Sequence, residues 1–224
     1  MKTRVKQQGA ALLALLLIAI VATASVLLSA FSGGRVERAR EQHTYALLAQ
    51  AQEALIGFAA THGRLPRPAN GGQAHERQAA CVSEADCTGL LPWLDLGLPA
   101  EDNWGHPLRY SVTPAFTVAP LARTAAIASK RVLSRDAHGA LYFVAGQDTC
   151  SLAAQCAPAV VMSRGRGDTV DSGDEAGNLL ASGDFVLRPR SADAGAPGGA
   201  FDDLLVTVPL QTLYERMAAA KTLP

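Results

Sequence analysis

Residues Ala10–Phe31 read AALLALLLIAIVATASVLLSAF, an apolar run of about 22 residues without a charged side chain. At about 1.5 Å of helical rise per residue the run spans roughly 33 Å, enough to cross a hydrocarbon core of about 30 Å. Lys2, Arg4 and Lys6 precede it with no acid before Gly9. Basic flanks of this kind favour a cytoplasmic N-terminus, which places the rest of the chain on the far side of the membrane. The expected product is a single anchored helix carrying an exported head.

The head is large enough for one domain with a real core. The chain has 20 basic and 20 acidic residues; with three of the basic ones in the leader, the exported part carries 17 against 20. Such a balance gives no basic patch for nucleic acid. Aromatic residues make up only 5% of the chain, which suits small-residue helix packing better than an aromatic-lined ligand pocket. The cysteines fall in two pairs of equal spacing, Cys81/Cys87 and Cys150/Cys156. An exporting compartment permits disulfides, and pairing within each C-x5-C would close two short loops, although four cysteines allow three pairings. The competing zinc reading needs reduced thiolates outside the cell interior and a shorter spacing.

Beyond Gly33-Gly34, expected to loosen the helix, residues 35–61 become amphipathic. Tyr45, Leu48, Gln52, Leu55 and Ala59 recur at three-or-four spacing, with Leu47, Ala51, Ala54 and Phe58 widening the stripe, and Gly63 ends the helix before Pro66. Such a stripe needs a sheet to cover it. His43 and His62 read as surface or interfacial polar residues, without a ligand partner at helical spacing. Residues 64–100 are rich in Pro and Gly and read as a loop-rich connector in which Trp93 docks against helix or sheet.

Strands are expected over Leu108–Val112, Ala140–Ala145, Ala159–Ser163, Phe185–Arg188 and Phe201–Val208, and a short closing helix over Pro209–Leu223 with Leu213, Met217 and Ala220 inward. Arg123–Arg135 has no clear assignment. The stretch RGRGDTVDSGDEAGNLLASGD reads as an acidic, Gly-rich loop.

Basic leader, Gly9, then an uninterrupted apolar helix resembles the type IV prepilins. That resemblance implies cleavage by a prepilin peptidase between Gly9 and Ala10, methylation of the new N-terminus, and retention of the tract as membrane anchor and assembly helix. The Glu that most of the family carries early in the mature chain falls on Ala14 here. The tract is in this respect similar to minor, tip-located pilins and pseudopilins, some of which also lack the acid. A second match lies at Asp102, Trp104, Gly105, Pro107 and Tyr110, which resemble the D-x-W-G-x-P-x-x-Y signature of the major pseudopilins of type II secretion. In that family the Gly permits a sharp turn and the indole packs on the helix.

The family resemblance implies an α+β fold, a long N-terminal helix packed on a small antiparallel sheet, with disulfide-bridged loops. The expected organisation is a prepilin leader at 1–9, a transmembrane and assembly helix at 10–32, an amphipathic helix at 33–63, and a loop-rich β-sheet head with a short C-terminal helix at 64–224.

Asp168, Asp171, Asp174 and Glu175 share one loop, with Asp184, Asp202 and Asp203 nearby. Carboxylates with glycine-exposed carbonyls suit a hard cation such as Ca²⁺, and the alternative is a solvated acidic loop. The pseudopilin resemblance implies Asp168 and Asp202 as calcium ligands. G-x-S-x-G and H-E-x-x-H are absent and no phosphate loop is present, so no catalytic site and no other cofactor are expected. The expected function is structural: a minor pilin or pseudopilin of a type IV pilus or type II secretion system, held in the inner membrane with its head in the periplasm. Its partners would be other such subunits, the prepilin peptidase and the membrane, with no nucleic acid. The alternative is a signal-anchored binding or enzymatic domain that never assembles.

Overall fold

The computed structural model describes residues 7–72, 74–167 and 173–223; for residues 7–11 and 24–33 it describes the backbone alone. The chain divides into two compact units, Met1–Gln42 and His43–Pro224.

Helix α1 spans Gln7–His62. It runs without interruption through Gly33-Gly34, contrary to the expected loosening: each glycine costs only about 1 kcal/mol within a helix, and Arg38 Nε donates to the Gly34 carbonyl at 2.9 Å. In the first unit, Leu12, Leu13, Leu15 to Ile18, Ile20 and Val21 are all exposed. Among the described residues no helix is long and apolar enough to cross a membrane. Much of the expected span lies outside the described side chains, which within it run only from Leu12 to Thr23.

In the second unit α1 buries Thr44, Leu47, Leu48, Ala51, Leu55, Ile56 and Ala59. The inward stripe is thus rotated from the expected one: Tyr45 is 47% exposed, and the small Thr44 takes the inner position at the turn. Gly63, at φ 68°, ends the helix, its N–H returning to the Ala59 carbonyl.

Two sheets follow, where one small antiparallel sheet was expected. The first is antiparallel, in the order β1 (Thr88–Leu90), β2 (Arg109–Val112), β5 (Ala159–Ser163), β7 (Leu204–Thr207). The second has the order β4 (Leu141–Ala145), β3 (Arg131–Arg135), β6 (Asp184–Val186), and β3 and β6 run parallel. β3 thus falls within the stretch the sequence left unassigned, and β1 within the expected connector. Strand β5 is buried throughout because both its faces are covered. Ala159 and Val161 join α1, Tyr110, Val112 and the C-terminal helix α3 (Leu210–Ala219) in the main core. Val160 and Met162 face a second, smaller core with Val132, Phe185 and Leu205. On α3, Leu213, Tyr214 and Met217 are buried, whereas Ala220 is exposed, one residue past the last turn.

Disulfides join Cys81 to Cys87 and Cys150 to Cys156. The loops they close meet at Ser129-Lys130. Glu84 of the first accepts from Ser129 Oγ (2.7 Å) and pairs with the buried Lys130 amine, while Ala157, beside Cys156, exchanges backbone hydrogen bonds with Lys130.

The acidic stretch holds a helix the sequence did not show, α2 (Gly173–Leu179). Gly173 has φ 68°, and its α-carbon lies against the Gly198 carbonyl, which in turn accepts from the Asp174 N–H at 2.9 Å.

Candidate functional site: a clamped turn and a buried acidic cluster

The Asp102–Pro107 turn is built by one carboxylate. Asp102 Oδ1 accepts from the Trp104 and His106 N–H groups at 2.8 and 2.9 Å, and the Asp102 N–H donates to the His106 carbonyl at 2.8 Å. This is the Asx-type closure that makes Asp a turn former, and Gly105 supplies the required positive φ of 83°. The other oxygen, Oδ2, accepts a 2.5 Å hydrogen bond from Ser163 Oγ at the end of β5. Ser163 Oγ in turn accepts from the Gly165 N–H (3.1 Å), and protonated His106 Nδ1 donates to the Gly165 carbonyl (3.0 Å). Asn103 Nδ2 reaches Thr44 Oγ1 on α1 at 3.2 Å, and Trp104 packs on the main core. Glu101 and Pro107 form an antiparallel bridge at the base of the turn, which leads into β2. On that strand Tyr110 is fully buried, donates its hydroxyl to the Pro66 carbonyl at 3.1 Å, and has its acidity suppressed well beyond the usual range by burial. Every residue of the expected turn motif therefore has a structural task, and together they tie α1, β2 and β5.

The loop leaving β5 passes against Asp202. At Gly165, φ 56°, a β-carbon would collide with the Asp202 backbone. Beyond it the carboxylates of Glu175, Asp202 and Asp203 lie with one oxygen each within 4.8 Å of the others. Glu175 stands on α2 and accepts from the Asp202 N–H at 2.6 Å; Asp203 accepts from Asn178 Nδ2 at 2.8 Å. Burial raises the Glu175 carboxyl above its ordinary range, opposed by the Asp202 N–H. Burial also pushes Asp203, only 4% exposed, up to about 7; the Asn178 bond opposes this, while Glu175 and Asp202 add to it. Three such carboxylates repel one another in a low-dielectric site, so they hold a proton or take a cation.

Of the two expected calcium ligands, Asp202 stands in this cluster, and Asp168 lies outside the described residues, as does Asp171. Asp174 is otherwise engaged, gripped by Arg135 (2.8 and 2.7 Å) and by Arg188 (2.8 Å), and Asp184 pairs with Arg131. Glu175 and Asp203 were among the acids flagged in the sequence but were not the two expected as ligands. The available signal was Glu175 and Asn178, three apart and so on one helical face, had the helix been recognised.

No family model, no curated protein and no solved structure matches this chain.

Proposed function

We propose that the chain is a structural subunit of the pilin type, a minor pilin or pseudopilin anchored in the inner membrane by the N-terminal part of α1, with its head in the periplasm. The observation that carries this reading is α1 itself. Its side chains from Leu12 to Val21 are apolar and exposed, while Leu47 to Ala59 supply the centre of the head's core. An exposed apolar helix surface needs lipid or other helices to cover it. The turn at Asp102–Tyr110, which bonds to Thr44 on that helix, supports the same reading, because it fixes the head to the element that would be packed in a filament. Function here is assembly rather than catalysis, with like subunits and a prepilin peptidase as partners.

Mass spectrometry of the protein from its own cell tests this. A mature chain beginning at N-methylated Ala10 is expected; a chain retaining Met1 would favour a signal-anchored domain that never assembles.

The Glu175–Asp202–Asp203 cluster is proposed to take Ca²⁺, whose preference for several oxygen donors matches this set and whose charge would relieve the crowding that raises Asp203. Calcium should raise the melting temperature of chelator-treated protein, with the gain lost in Asp202→Asn; a melting temperature indifferent to calcium would count against the site.

A further inference from the structure

Asparagine, one of the thermolabile residue types, occurs at positions 70, 103 and 178, and the three amides meet different surroundings. Asn178 is buried on α2: its Nδ2 donates to the Val186 carbonyl at 2.9 Å and to Asp203 at 2.8 Å, and its Oδ1 accepts from the Val186 N–H at 2.6 Å. Asn103 Nδ2 is tied to Thr44 on α1, and the main-chain nitrogen that follows it, that of Trp104, donates to Asp102 Oδ1 at 2.8 Å. Asn70 is exposed and is followed by Gly71-Gly72. Among the described residues nothing hydrogen-bonds its side-chain amide, and no backbone acceptor holds the Gly71 N–H.

The chain is fixed just before this point and open just after it. Ala69 exchanges both main-chain hydrogen bonds with Leu90, at 2.8 and 3.3 Å. Gly71 and Gly72 are exposed, and a β-carbon at either would meet nothing within 4 Å; Gly72 has φ 78°. No side chain at 71 crowds its nitrogen against Asn70 Cγ, and a glycine pair turns through conformations closed to other residues. The two atoms belong to adjacent residues, so joining them in a five-membered ring requires only rotation about Asn70's own bonds.

We propose that Asn70 is a site of spontaneous deamidation. The Gly71 nitrogen gives up its proton to water and forms a bond to Asn70 Cγ; the Cγ–Nδ2 bond breaks, and Nδ2 leaves as ammonia after taking a proton from water. Water then opens the succinimide. Attack at Cγ leaves aspartate, and attack at the main-chain carbonyl carbon leaves isoaspartate, whose chain runs through the side chain and is one methylene longer. No oxidant or reductant is needed. Either product places a carboxylate beside the Ala69–Leu90 bridge, so one sequence yields heads of two charges. The inference does not depend on the assembly reading.

Full-length protein, incubated folded at neutral and mildly alkaline pH and then digested, should show by mass spectrometry the peptide of residues 65–77 converting to its acid forms. Isoaspartate should predominate and the rate should rise with pH, while Asn103 and Asn178 keep their amides. Asn70→Gln should abolish the change. Gly71→Ala, for which the site has room, should slow it about tenfold by restricting the backbone. The free peptide of residues 65–77 is the unfolded reference. Asn70 keeping its amide in the protein over a time in which that peptide converts overturns the proposal, as does conversion of Asn103 or Asn178 at the rate of Asn70.

Discussion

The two sheets of the head are held by different physics. The first lies against α1 and α3, and its inner face joins a large apolar core in which Leu48, Leu55, Val112, Val161 and Leu213 are fully enclosed. The second rests, among the described residues, on a core of five buried side chains. Charge makes up the difference there: Arg131 with Asp184, Arg135 and Arg188 with the buried Asp174, and Lys130 with Glu84. Apolar burial is non-directional and tolerates modest repacking, whereas a buried carboxylate between two guanidinium groups is stable only while all its partners remain. The first sheet should therefore define global stability, and the second should open alone when one charge is removed.

The largest effect is expected in the first region. Leu55→Ala should cost about 3–5 kcal/mol of global stability, read by denaturant unfolding, because the enclosed site cannot collapse around the missing atoms. Asp174→Ala should cost about 3 kcal/mol, since it strands two arginines of which Arg188 is nearly buried. Hydrogen exchange should show that loss in α2 and β6 and spare β5; uniform loss across both sheets would erase the contrast. Replacing Cys150 and Cys156 together by Ser should cost about 2 kcal/mol, the loop entropy of so short a ring, again with exchange quickening first around β3 and β4.

A further effect concerns pH. Asp203 holds its proton in the folded state up to about pH 7, whereas in the unfolded chain it loses it near the ordinary value of 3.8. The folded state thus binds more protons in between, and stability must fall as pH rises through that window, by at most about 1.4 kcal/mol per pH unit. In chelator-containing buffer Asp203→Asn should flatten this slope between pH 5 and 7. An unchanged slope would move the titrating group elsewhere.

The sequence disclosed what periodicity and turn chemistry control locally. The inward run of α1 from Leu47 to Ala59, the all-apolar β5, the amphipathic α3 and the Asp102–Tyr110 turn follow from short-range rules. What stayed hidden depends on distant partners. RVLSR at β3 is short and basic, and its arginines make sense only once Asp184 and Asp174 are opposite them. The helix α2 begins and continues with glycine and carries little propensity of its own; its burial under Arg135, Arg188 and Asp203 decides it. The acidic cluster unites Glu175 with Asp202 and Asp203, some 27 residues away along the chain, so spacing could flag the acids but not choose among them. The local pairing of the cysteines was one of three that the sequence permitted, and the fold selected it.

The contact between Gly173 and the Gly198 carbonyl has an evolutionary corollary. Two stretches of backbone touch there with no room for even a methyl group, and both residues adopt a φ that side chains disfavour. The corner is closed to variation: in a saturation library, every alternative at 173 or 198 should be depleted. Gly57, on an open face of α1, meets nothing and should accept alanine freely. Drift in this protein is channelled away from the seam that holds its charged sheet and toward the outer surface of its long helix.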